Sequence, residues 1–155
     1  MQRIISIVFL CCLGALTSLA QVHIKVAGGW AFAPKQAVVQ GRVGYLVASQ
    51  ADVSASVSRY FGDNVEEEVY ASALHGNYLM QLGKLGLYPT LAVNYAWSNA
   101  DVQAWGGAAG VGAQIKLYRQ WVWWSEGVYG WNTLVGNGVM LHTGIAYYFK
   151  EYEEY

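Results

Sequence analysis

Two-residue periodicity runs through almost the whole chain from residue 22 onward, and no other feature limits its folding as tightly. It is cleanest in Gly138 to Phe149, GVMLHTGIAYYF. There Val139, Leu141, Thr143, Ile145, Tyr147 and Phe149 fall on one face, and Met140, His142, Gly144, Ala146 and Tyr148 on the other. A repeat of two sends alternate side chains to opposite sides of a strand. A chain written this way is therefore a set of strands whose two faces meet different surroundings.

The same rhythm recurs seven times before that stretch. Val22 to Phe32 sets Val22, Ile24, Val26, Gly28, Trp30 and Phe32 against His23, Lys25, Ala27, Gly29 and Ala31, and Pro34 ends it. Val38 to Ala48 sets Val39, Val43, Tyr45 and Val47 against Gln40, Arg42, Gly44 and Leu46. After a turn at Ser49 to Asp52, Val53 to Phe61 sets Val53, Ala55 and Val57 against three serines. Val69 to Met80 is less regular, with Tyr70, Leu74, Tyr78 and Met80 opposite Ala71, Ala73, His75 and Asn77; Gln81 to Gly86 reads as a connection. Leu87 to Ser98, Trp105 to Leu117 and Trp121 to Trp131 complete the set. Eight strands joined by short connections, with no helix and no second domain, predict an all-β, eight-stranded antiparallel up-and-down barrel over 21–149.

Which face is wet decides between a barrel in water and one in lipid. Charged residues make up only 12% of the chain, about half the usual share for a soluble domain, while 15% are aromatic. A soluble barrel, a lipocalin-like container for instance, needs ionised side chains along its outer face. Here the polar face is mainly Gly, Ala, Ser, Asn and Gln, residues small enough for the narrow inside of an eight-stranded barrel. The few charges on it, Lys25, Arg42, Lys116 and Glu126, are expected in the lumen, since a cation facing lipid near the midplane costs roughly 2 to 4 kcal/mol. Trp30, Tyr45, Tyr95, Trp97, Trp121, Trp131, Tyr147 and Phe149 lie mostly toward strand ends, where rings with a polar edge favour the headgroup zone, so two aromatic girdles are expected.

Residues 1–20, MQRIISIVFLCCLGALTSLA, carry a cation at Arg3, an apolar centre and small residues at Ser18 and Ala20, as a cleaved signal peptide does. Both cysteines, Cys11 and Cys12, lie inside it, so the mature chain, expected to begin at Gln21, has no thiol. Residues 150–155 form an acidic tail, with Glu151, Glu153 and Glu154 expected to be solvated beside Lys25 and Lys116 at one mouth. A net charge of −1 offers nothing to nucleic acid.

Signal peptide, eight two-faced strands and a last strand GIAYYF ending in an aromatic together resemble the small outer-membrane β-barrel family, OmpX-like or OmpA-barrel-like, over essentially the whole mature chain. The Ala20–Gln21 junction also resembles secreted proteins of Bacteroidetes. The resemblance implies bacterial outer-membrane location, both chain ends in the periplasm, insertion by the barrel-assembly machinery, and contact with outer-membrane lipids and lipopolysaccharide as a monomer. In two respects the chain departs from the family: it runs past Phe149, and its outward loops are short.

Chemistry is sparse. In this orientation His23 sits low and His142 high, toward opposite mouths, and His75 lies across the barrel, which argues against a shared metal. Some eight-stranded relatives are lipid A deacylases or acyltransferases, and the deacylases place a serine two residues after the base histidine. Here those positions are Lys25, Asn77 and Gly144. No nucleophile elbow, phosphate loop or HExxH is present. The expected lumen network is Lys25, Arg42, His75, Lys116 and Glu126, with Arg42 and Glu126 paired as a plug. No cofactor and no catalysis are expected. The acidic loop Gly62 to Glu68 reads as a solvated outward loop.

Overall fold

The computed structural model describes residues 21–33, 35–48, 50–62 and 68–149. Residues 1–20, expected to be a signal peptide, Asp63, Glu66 and Glu67 of the acidic loop, and residues 150–155 lie outside the described residues. Nine strands follow in order: β1 Gln21–Ala31, β2 Gln36–Ala48, β3 Ala51–Phe61, β4 Val69–Tyr78, β5 Met80–Leu82, β6 Leu85–Ser98, β7 Gln103–Tyr118, β8 Trp121–Asn132 and β9 Gly138–Tyr148. Each pairs antiparallel with its neighbours, β1 closes on β9, and β4 and β5 both pair with β6. The two short pieces are one stave, so the sheet closes as an eight-stave barrel. Closure leaves no unpaired strand edge, the condition for a sheet to stand in hydrocarbon.

Two expected boundaries move. Gln81 to Gly86 is mostly strand: β5 reaches Leu82, a two-residue turn with Gly83 at φ 62° reverses the chain, and β6 starts at Leu85. The irregularity in Val69 to Met80 has its cause at Leu79, whose N–H leaves the ladder to donate to Gln50 O at 2.6 Å while its side chain turns into the barrel. Asp52, expected in a turn, belongs to β3 and points inward beside Asn77.

The molecule is inside out relative to a soluble protein. Val26, Val43, Val57, Leu74, Leu91, Val93 and Val111 form an exposed belt at mid-height, with Leu91 66% and Val111 67% exposed. Among the described residues, as many of the buried ones are polar or charged as apolar. Water would penalise such an arrangement, because the apolar area buried on folding is what stabilises a soluble domain. Lipid does not, since the belt then faces matching hydrocarbon.

Arg59 is the one charged side chain on the outward rows of the described strands. It lies at the loop end over the rings of Phe61 and Tyr70, 4.8 and 5.6 Å from their centroids, and is ion-paired to Glu68. Tyr70, Trp97, Tyr95 and Trp105 continue this zone as a run of ring contacts at 6.0, 6.0 and 4.9 Å, with Trp30 and Trp131 outward at the same end. At the end where Gln21 and Phe149 lie, Trp121, Tyr147 and Phe149 contact one another at 5.0 and 5.4 Å, and Tyr45 lies on that side between Val22 and Val53.

Inside, glycines make room for large side chains. A Cβ on Gly112 would run into the Tyr88 ring, and one on Gly110 would meet Val128 Cα at 2.6 Å and the carbonyl of Gly127. Tyr88 can swing; the backbone of β8 cannot. Gly110→Ala is therefore expected to destabilise the barrel by about 1–3 kcal/mol, as overpacking does, and more than Gly112→Ala, measured by denaturant titration of the refolded protein. Equal small losses at both sites would contradict the close approach of β7 and β8.

Candidate functional site

The lumen holds all the described charge that is buried. In register, Lys25 of β1 lies directly opposite Arg42 of β2. Like charges so placed repel, and each cation turns away to its own carboxylate. Arg42 goes to Glu126 on β8, across the lumen, through two bonds: Nη2 donates to Oε1 at 3.0 Å and Nη1 to Oε2 at 3.3 Å. Both groups are about 1% exposed. Lys25 goes to Asp52 on β3, with Nζ donating to Oδ2 at 3.2 Å; Asn77 Nδ2 donates to the same oxygen at 3.2 Å, and His23 Nε2 is 3.6 Å from it.

Trp124 of β8 separates the two pairs. It is fully buried, with the Arg42 guanidinium 5.0 Å and the Lys25 ammonium 5.7 Å from its ring centre. Cations over an indole face are stabilised by its quadrupole, more so when shielded from water. The order along the barrel is thus Glu126, Arg42, Trp124, Lys25, Asp52.

On the loop side of Trp124 the network spreads around the wall. Arg42 Nη2 donates to Gln40 Oε1 at 3.0 Å, Gln40 Nε2 to Ser58 at 3.2 Å and Ser56 at 3.5 Å, and Ser56 shares a 2.8 Å hydrogen bond with His75 Nε2. His142 Nδ1 stands 3.9 Å from Glu126 Oε1. An upper cavity of about 30 Å³ is lined by Gln40, His75, Thr90, Asn94, Glu126 and His142 among others, and a lower one of about 10 Å³ by Lys25, Asp52, Asn77, Tyr88, Gln114 and Tyr148 among others. One water needs roughly 10–15 Å³ of such space. Neither Arg42 nor Trp124 lines either cavity; they are the wall between them.

Lys25 lies deeper than the mouth where it was expected: it is 1% exposed and bonded to Asp52. His142 lies toward the loop end, opposite to His23 as expected, but inside the lumen. It is the register partner of Glu126 on the neighbouring stave and lines the same cavity as His75, while His23 stays at the other end beside Asp52 and Tyr148. Lys116 is half-buried at the terminal mouth, opposite Val122. The lumen residue that the sequence pattern misses is Asp52, although its spacing of two from Ser54, Ser56 and Ser58 already puts it on the polar row. Among the described residues no group of three His, Cys, Asp or Glu side chains could hold a metal ion.

No family model matches the sequence, and no curated protein matches it. Solved structures do match. The N-terminal β-barrel domain of Pseudomonas aeruginosa OprF superimposes with a TM-score of 0.69 at 17% identity, covering 83% of this chain and 97% of that one. The chain has the fold of the small eight-stranded outer-membrane barrels. Ail, the attachment invasion locus protein of Yersinia pestis, gives 0.57 at 13% identity over 84% and 97% of the two chains, and Neisserial surface protein A gives 0.54 at 14% over 84% and 95%.

Proposed function

We propose that this protein is an integral outer-membrane barrel, OmpX-like in scale, that serves envelope structure or surface interaction and neither conducts ions nor performs catalysis. One observation carries the reading: a closed barrel with an apolar belt outside and, inside, two back-to-back ion pairs packed on a buried indole. The belt needs hydrocarbon. A sealed lumen is supported by Arg42 and Trp124, which lie between Glu126 of the upper cavity lining and Lys25 of the lower.

Outer-membrane phospholipid and lipopolysaccharide are the partners that the belt and the aromatic ends suit, the assembly machinery inserts it, and a closed sheet offers no edge for oligomers. The Ser56–His75 contact has the reach of a nucleophile and its base. It faces the lumen, however, whereas acyl chains lie outside the barrel, so it reads as a structural bond.

Fractionation of expressing cells should place the mature protein in the outer membrane, released by detergent alone and running at different gel positions before and after boiling. In planar bilayers it should give no channel steps. Recovery in the soluble fraction would remove the membrane reading, and reproducible steps in the unmodified protein would remove the sealed lumen.

A further inference from the structure

The loop between β8 and β9, residues 133–137, does not stand away from the barrel. Val135 is 3% exposed and packs with Ala31, Val38, Tyr60, Val69, Ala71 and Met140, and Leu134 packs against the same cluster. This apolar layer lies over the upper cavity, whose lining includes Tyr60, Ala71 and Met140.

One side chain holds the loop in place. Asn132 Oδ1 accepts from Leu134 N at 2.9 Å and Val135 N at 3.3 Å; its own N–H donates to Asn137 Oδ1 at 2.9 Å; and its Nδ2 donates to Asn94 Oδ1 at 2.7 Å and Ala104 O at 3.3 Å. The reach from β8 to Asn94 on β6 crosses β7 at Gly106, where a Cβ would meet Asn132 Cβ at 2.7 Å and Asn94 Oδ1 at 2.8 Å. Under the loop are polar atoms without a protein hydrogen-bond partner: both ring nitrogens of His142 and Thr90 Oγ1. Buried groups of this kind are satisfied by water where there is room, and the cavity has room for about two molecules.

We propose that the β8–β9 loop is a cap over a polar solute chamber, latched by Asn132, and that water and solutes as small as it enter this chamber from the loop end only when the cap lifts. Entry stops at Trp124, so the cap opens a dead-end chamber and not a pore. The inference does not depend on the biological role proposed above.

The mature chain has no cysteine, so single thiols report access. Thr90→Cys places one in the upper chamber, and Ser54→Cys places one beside His23, on the terminal side of Trp124. In the folded protein in lipid, both should be oxidised slowly by hydrogen peroxide, a reagent little larger than water that converts the thiol to a sulfenic acid and is itself reduced to water. Adding Asn132→Ala should speed reaction of the upper-chamber thiol on the order of tenfold to a hundredfold, the shift in a local opening equilibrium when several buried hydrogen bonds are lost together. The thiol at position 54 should be unchanged.

Fast reaction of the Thr90→Cys variant with Asn132 intact would overturn the cap. If both thiols become reactive in Asn132→Ala, the barrel itself has loosened, and Val135→Ser, which keeps the latch and removes the apolar seat, decides. Selective reaction of the upper-chamber thiol in that background supports the cap; no change there, or reaction at both thiols, refutes it.

Discussion

Glu126→Gln is expected to lower the unfolding free energy of the refolded barrel by about 3–5 kcal/mol, the cost of leaving one member of a buried ion pair without its partner. The guanidinium of Arg42 is buried and lines neither of the two cavities, and its other neighbours are Gln40 and the face of Trp124. A neutral amide at 126 keeps the shape but can accept only one of the two bonds that the carboxylate takes. Arg42→Gln should cost a similar amount, since Glu126 would then lose both bonds from the guanidinium. The double variant should be little worse than either single one, because the charge that each single change strands is gone. Denaturant titrations of the four proteins in one lipid give the coupling directly. Losses that add would show that the two groups are stabilised separately, and the stack across Trp124 would then have no energetic meaning.

Leu91→Arg is the second large effect. Leu91 lies at the middle of β6 between Gly76 and Ala109, 66% exposed on the outer belt. In water, a substitution at so exposed a site changes stability by no more than about 0.5 kcal/mol. In a bilayer, a guanidinium at the midplane of a barrel costs roughly 2–4 kcal/mol, and less near the interfaces. The same change at Trp105, which is 73% exposed in the aromatic zone of the loop end, should therefore cost much less charge penalty than at Leu91. Refolding into vesicles, followed by the boiled-against-unboiled gel shift and a denaturant titration, measures both. Equal and negligible effects at the two heights would mean that no hydrocarbon touches the belt.

Both expectations rest on faces that the chain spells out plainly. The rows Val22 to Phe32 and Val139 to Phe149 alternate without a break, and the structure keeps each of their described side chains on the side the pattern assigns. Irregularity in the pattern also has physical content: the poor rhythm near Met80 is the departure of Leu79 from the ladder toward Gln50. Asp52 escapes the pattern because a polar residue next to Gln50 and Ala51 suits a turn as well as the inward start of a strand; its spacing from Ser54 favours the strand, and pairing with Asn77 fixes it.

Period two, low charge and small residues on one row determine by themselves that the chain makes two-faced strands and which side of each can face lipid. These are properties of single side chains and their immediate neighbours. The Arg42–Glu126 pair was legible from their like height on the polar rows, and the structure shows it; the remaining lumen contacts were decided by closure and tilt. Lys25 on β1 turns to Asp52 on β3, and Asn132 on β8 reaches Asn94 on β6, each past an intervening stave, through staves sheared past one another. Height along a tilted stave depends on the register of every pair between, so contact across a lumen is a property of the whole closed sheet and is written in no one strand.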